Sequence, residues 1–172
     1  MEKTWRPFIL TAFIVLLDQL SKAWVVATIA ENTVGHWFFG EFLAIVHVRN
    51  TAVAFSLGST FPIWIRLIFF VGLPVALLVL VIYLLFDKRI HLSAQIRWVL
   101  ALFLGGGIGN LLDRIFRSLR VVDFISVKFY GIFGLERWPT FNVADAALVV
   151  SGILLALILL LEKEETTDGK ER

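Results

Sequence analysis

Asp145 is the one ionisable residue in the apolar run from Val143 to Leu161. Asp123, in Val121-Val122-Asp123-Phe124-Ile125, is the other acid flanked tightly by apolar residues. A carboxylate at mid-membrane costs about 2.5–3.5 kcal/mol on insertion scales, and less near an interface, so an acid kept there is a functional candidate that needs a partner. Each aspartate is the other's best candidate, because they come from the two sides of one loop, as an aspartic-protease dyad requires. Two carboxylates about 3 Å apart cannot both ionise easily, so they share one proton and titrate as a unit. The ionised member takes a proton from the attacking water. The protonated member donates a hydrogen bond to the peptide carbonyl and later helps protonate the leaving amine. Such chemistry needs neither a metal nor a covalent nucleophile. That suits a chain with no cysteine and only three scattered histidines, His36, His47 and His91.

Four further polar groups each admit a plain reading and a functional one. Asp18 and Lys22 are four apart on one helical face, either as a neutralising pair or with Asp18 orienting something in the interior. Asn50, opening Asn50-Thr51-Ala52-Val53-Ala54-Phe55, marks a turn or holds a substrate backbone, since its amide both donates and accepts. In Gly105-Gly106-Gly107-Ile108-Gly109-Asn110, Gly105 and Gly109 permit close helix approach, while no Lys-Ser/Thr follows to make a phosphate loop. Asn110 and Arg114 share a face that either anchors the helix at the interface or hydrogen-bonds the two acids. Asn142 and Asp145 stand as N-cap and third helical residue, a capping-box spacing. A cap needs no second acid; acid–base catalysis does.

The elements that must carry these groups are membrane spans. Of 172 residues, 59% are hydrophobic, against about 45–50% in an ordinary soluble domain. The fold class is therefore a mainly α membrane protein, one domain built as a four-helix bundle. Apolar runs at 8–30, 62–86, 96–116 and 142–161 match the ~20 residues a crossing needs, the third only if it continues past Leu112 through Asp113-Arg114, and Pro74 is a kink candidate in the second. The first is interrupted by Asp18 and Lys22 and outlasts a ~7–15-residue signal core, which predicts a retained span. Residues 31–60 alternate and carry turn signals, predicting a small β platform between the first two spans. Residues 117–140 read as a lid-like interfacial loop, and Glu162 to Arg172 as a solvated tail. Four spans put both termini on one side. Lysine and arginine do not say which side, at eight against seven. The net charge of +2 is dispersed and points to no nucleic acid.

Five blocks in order resemble the lipoprotein signal peptidases (signal peptidase II): Leu17-Asp18-Gln19-Leu20-Ser21-Lys22, Asn50-Thr51-(Ala52-Val53)-Ala54-Phe55-Ser56, Gly109-Asn110-Leu111-Leu112-Asp113-Arg114, Val122-Asp123-Phe124 and Phe141-Asn142-Val143-Ala144-Asp145. The resemblance implies an aspartyl endopeptidase of the bacterial inner membrane, with both termini cytoplasmic and its site near the outer face. It implies substrates that are diacylglyceryl-modified prolipoproteins, cut just before the lipidated cysteine. By motif position Asp123 and Asp145 are then the catalytic pair, with Asp18, Lys22, Asn50, Asn110, Arg114 and Asn142 around them, Asn50 and Arg114 holding the substrate backbone. The expectation is a monomer without cofactor or metal, whose partners are the prolipoproteins and membrane lipids. Two departures stand out. Ala52 occupies a usual glycine position, which would strain a positive φ, and the loop between the aspartates is longer than is common, with Gly131 and Gly134 inside it. Two rival readings are a proton relay through Asp18, Asp123 and Asp145 in a small transporter, and a non-catalytic scaffold. Four spans without an internal repeat are few for the former.

Overall fold

The computed structural model describes residues 5–50 and 61–168. Four helical stretches in it are long and apolar enough to cross a membrane: Arg6–Thr28, Ile63–Phe86, Ala94–Phe116 and Val143–Leu161. Helix α1 (Arg6–Thr28) starts with a proline in its first turn, where the missing N–H costs nothing. The second crossing has three parts: α2 (Ile63–Leu67), a π turn (Ile68–Gly72) and α3 (Leu73–Phe86). The cause is Pro74, which lacks an N–H and whose ring would strike the carbonyl of Phe70 four residues back. The π turn opens the ladder there, with Leu73 N–H reaching Ile68 O. Helix α4 (Ala94–Phe116) starts at Ser93, whose Oγ accepts from Ile96 N–H at 3.3 Å, and runs unbroken through Asp113-Arg114. Helix α5 (Val143–Asp168) continues past Leu161 into the stretch expected as a tail, because its run of Glu and Lys propagates a helix well.

Strands β1 (Thr33–Phe38) and β2 (Leu43–Asn50) form the expected hairpin between the first two crossings. Gly35 bulges out of β1, where a side chain would collide with Ile29. The expected platform has a third member. Strand β3 (Val121–Val127) pairs antiparallel with β2, setting Asn50 against Val121, Arg49 against Val122 and Val48 against Asp123. It lies in the stretch expected as a loop. Val121, Val122, Asp123 and Phe124 are all buried, so this strand has no alternation to announce it.

After β3 the chain makes a closed hairpin. Lys128 bridges to Arg137, Phe129 N–H donates to Glu136 O at 2.8 Å, and Gly131 N–H donates to Leu135 O at 3.0 Å. Gly131 (φ +80°) and Gly134 (φ +76°) supply the left-handed turns that close it. Phe141 then pairs with Ile125 through bonds of 2.8 and 3.0 Å, so the chain enters α5 beside Asp123.

Helix α4 is the hub. Leu100 and Leu104 pack against Leu78, Val81 and Leu85 of α3. Its glycines let α1 and α5 come close: a Cβ on Gly105 would lie 2.8 Å from Ile14 Cβ, and one on Gly106 would lie 2.5 Å from Ala144 O. A second core joins bundle to sheet, Val25 of α1 and Ile29 just past its end against Val122 and Phe124 of β3. Overpacking such a contact costs typically about 1–3 kcal/mol. Gly106→Ala should therefore lower the melting temperature clearly, whereas Gly152→Ala, with open space around it, should leave it unchanged or raise it. Melting curves of the two purified variants check this; equal behaviour would contradict the packing described.

Candidate active site

Five elements deliver polar side chains to one end of the bundle: α1 gives Asp18, Gln19 and Lys22; α4 gives Asn110, Asp113 and Arg114; β2 gives Asn50; β3 gives Asp123; and the start of α5 gives Asn142 and Asp145. The lower layer is ionic. Lys22 Nζ lies 2.8 Å from Asp18 Oδ2 and 3.1 Å from Asp113 Oδ2, and it donates to Asn110 Oδ1 at 3.1 Å. None of the three charged side chains has exposed surface. Both carboxylates also hold backbone: Asp18 Oδ1 accepts from Ala144 N–H and Asp113 Oδ2 from Val122 N–H, each at 3.0 Å. Gln19 Nε2 spans the same pair, at 3.1 Å from Asp18 Oδ2 and 3.2 Å from Asp113 Oδ1. Arg117 closes the layer at 3.1 Å from Asp113 Oδ1.

The upper layer contains the two acids read from the sequence. Asn142 Nδ2 donates to Asp123 Oδ1 at 2.7 Å, and its backbone N–H donates to Asp145 Oδ2 at 3.2 Å. One short residue thus touches both carboxylates. Asn142 Oδ1 accepts from Asp145 N–H at 2.9 Å, so the capping box is real and occupies one side of Asp145. The other side, Oδ1, accepts from Asn110 Nδ2 at 2.7 Å. Asn50 Nδ2 donates to Asp123 Oδ2 at 3.1 Å. The Asn110 amide can point only one way, since its oxygen faces the Lys22 ammonium.

Asp123 is 3% exposed. Burial first, and then the neighbouring charge of Asp145, push its carboxyl from 3.8 up to about 7; hydrogen bonds from Asn50 and Asn142 and the charge of Lys22 pull the other way. Arg114 is half-buried, with its guanidinium in the field of Asp145, Asp123 and Asp113. Among the described residues, the groups that hydrogen-bond the two carboxylates are amide N–H donors.

All eight residues singled out in the sequence reach this cluster. Asp18 and Lys22 satisfy both of their readings at once, neutralising each other inside the bundle. Three members were not singled out: Asp113, Gln19 and Arg117. Asp113 carried the same signal as Asp145, an acid in an apolar helix, and it stands three residues from Asn110 on the same face. Gln19 carried none beyond its place between Asp18 and Lys22. Of the block opened by Asn50, residues 51–56, including Ala52, lie outside the described residues.

Fold and site together define a multi-pass membrane protein with a buried, paired-carboxylate centre at one end of its helices. The family model for signal peptidase (SPase) II matches residues 10–161. A lipoprotein signal peptidase of Borrelia duttonii (strain Ly) is 44% identical over 160 residues, covering 93% of this chain and 92% of the relative. That of Treponema pallidum (strain Nichols) is 39% identical over 164 residues, covering 95% and 88%. A solved bacterial membrane enzyme, obtained by the in meso method at 2.3 Å, superposes with a TM-score of 0.78 at 25% identity, covering 92% of this chain and 90% of that one. The chain belongs to the signal peptidase II family and is a membrane protease, which displaces the transporter and scaffold readings.

A carboxyl raised in the fold binds a proton that the unfolded chain releases, so ionising Asp123 erodes stability as pH rises from about 4 to about 7. Asp123→Asn removes that cost. It should melt like the parent near pH 4 and be more stable by roughly 2–4 kcal/mol at pH 8. Melting curves across that range check it; a pH-independent difference would contradict the raised carboxyl.

Proposed function

We propose that this protein removes the signal peptide from diacylglyceryl-modified prolipoproteins, cleaving just before the lipidated cysteine, as an aspartic endopeptidase whose catalytic pair is Asp123 and Asp145. The observation that carries the mechanism is the double contact of Asn142, side chain to Asp123 and backbone to Asp145. The substrate class rests on family membership and on relatives that are named lipoprotein signal peptidases.

Below about pH 7 the proton resides on Asp123. Asp145 then acts as the base, taking a proton from water as its oxygen attacks the scissile carbonyl carbon. Asp123 gives its proton to the carbonyl oxygen, and a neutral tetrahedral diol results. On collapse the C–N bond breaks, the amine takes the proton from Asp145, and Asp123 recovers one from a diol hydroxyl. The products are a carboxyl on the signal peptide and a free amine on the cysteine, and the pair ends as it began. Arg114 and Asn50 flank the pair and are placed to hold the substrate backbone. Asp18, Lys22, Asn110 and Asn142 support the two acids.

The site sits at the sheet end of the bundle, with α1 running toward it and α5 away. In this reading that end faces outward from the bacterial inner membrane and both termini are cytoplasmic. The diacylglyceryl chains stay in lipid and enter between helices. The hairpin within 117–140, with exposed Tyr130, Ile132 and Phe133 at its tip, covers the peptide from outside. The protein works as a monomer, with no cofactor and no metal.

Asp123→Asn and Asp145→Asn, which conserve shape but not ionisation, should each lower cleavage of a diacylglyceryl-modified precursor by about 10³-fold or more while the protein stays folded. Substantial turnover by either purified variant would remove the dyad.

A further inference from the structure

The ionic layer repeats one contact on two elements. Asp18 holds the N–H of Ala144, the residue before Asp145, and Asp113 holds the N–H of Val122, the residue before Asp123. The same ammonium joins both carboxylates. We propose that Lys22 is the positioning residue of the aspartate pair, fixing through Asp18 and Asp113 the separation of the two backbone segments that carry it. This rests on the catalytic reading of Asp123 and Asp145 given above.

An ammonium has three protons, and here three acceptors take them: Asp18 Oδ2, Asp113 Oδ2 and Asn110 Oδ1. Each acceptor leads to the pair. Asp18 and Asp113 lead there through the preceding N–H groups, and Asn110 leads there through its own Nδ2 on Asp145 Oδ1. Arginine, which spreads its charge over a planar fork, cannot reproduce three converging bonds from one point. Gln19 already bridges the two carboxylates as a neutral donor. What Lys22 adds is charge, which draws two anions together that would otherwise repel.

That charge also reaches Asp123. Among the described residues, Asp145 from α5, Lys22 from α1 and Arg114 from α4 are the charged groups around it, with neutral Asn50 and Asn142 as donors. Removing Lys22 therefore has two effects at a distance. The pair loses its spacing, where a displacement of about 1 Å can cost on the order of 100-fold in rate, and Asp123 holds its proton to higher pH.

The test uses the full-length protein in lipid, with a diacylglyceryl-modified precursor assayed from about pH 5 to 9. Lys22→Gln alone leaves two buried anions short of a cation, so it is combined with Asp18→Asn. Asn can still accept from Ala144 N–H, and the net charge is conserved. This double variant should melt close to the parent and keep KM within about threefold. It should lose on the order of 100-fold in kcat, and the alkaline limb of its rate profile should move to higher pH. Lys22→Arg should keep the limb in place yet remain slow. A double variant with the parent's kcat and pH profile would overturn the proposal. So would one that fails to fold, since Lys22 would then hold the bundle rather than position the pair. Asp123→Asn, run alongside, separates the two levels: if it still cleaves, the dyad reading fails, whatever Lys22 does.

Discussion

Lys22, Asp18 and Asp113 put three charges with no exposed surface into an apolar helix bundle. Alone, each would cost about 2.5–3.5 kcal/mol at the centre of a membrane helix. Together they survive because nearly every lone pair and proton is taken by one another, by Gln19 and by the backbone of Ala144 and Val122, while Arg117 adds a second positive charge 3.1 Å from Asp113 Oδ1. Removing one partner from such a cluster leaves an unpaired buried charge and costs about 3–5 kcal/mol. This demand shapes the rest. Helices α1 and α4 must both reach one ammonium, and α5 must bring the Ala144 N–H to Asp18. At Gly109 a Cβ would lie 2.7 Å from Asp18 Oδ2, so no side chain fits between carboxylate and helix.

The sheet meets a second demand, that two acids far apart in secondary structure face each other. Asp123 is fixed by β3 pairing with β2, which also brings Asn50 alongside. Asp145 is fixed by a helix N-terminus whose cap, Asn142, follows Phe141 as it pairs with Ile125. A strand and a helix start therefore hold the two acids proposed to react, both hydrogen-bonded on each side. The hairpin tip stands clear of this frame, with Phe133 87% exposed. Chemistry that tolerates little displacement is best carried on rigid elements.

Much of this was legible in the residues. A long apolar run needs no periodicity to be read as a span, and an acid inside one advertises itself by its cost. Where the reading fell short, the causes are physical. The third span looked as if it could end at Leu112 because Asp113 and Arg114 follow. Asp113 is neutralised by Lys22 and Arg117, partners that no local window contains. Strand β3 was hidden because it is buried continuously and its partner strand lies more than 70 residues upstream. Helix α5 outran its apolar segment because membrane thickness limits hydrophobic length, not helix length.

The central claim is that the two aspartates form a unit holding one proton at neutral pH, with that proton on Asp123. Carbon-13 carboxyl spectra of aspartate-labelled, full-length protein in bilayers read this without any turnover assay. One aspartate carboxyl should titrate with a midpoint near 7, and its signal should vanish in Asp123→Asn. If every aspartate carboxyl is already ionised by about pH 5, near the ordinary carboxylate range, no shared proton exists and the account of the site is wrong.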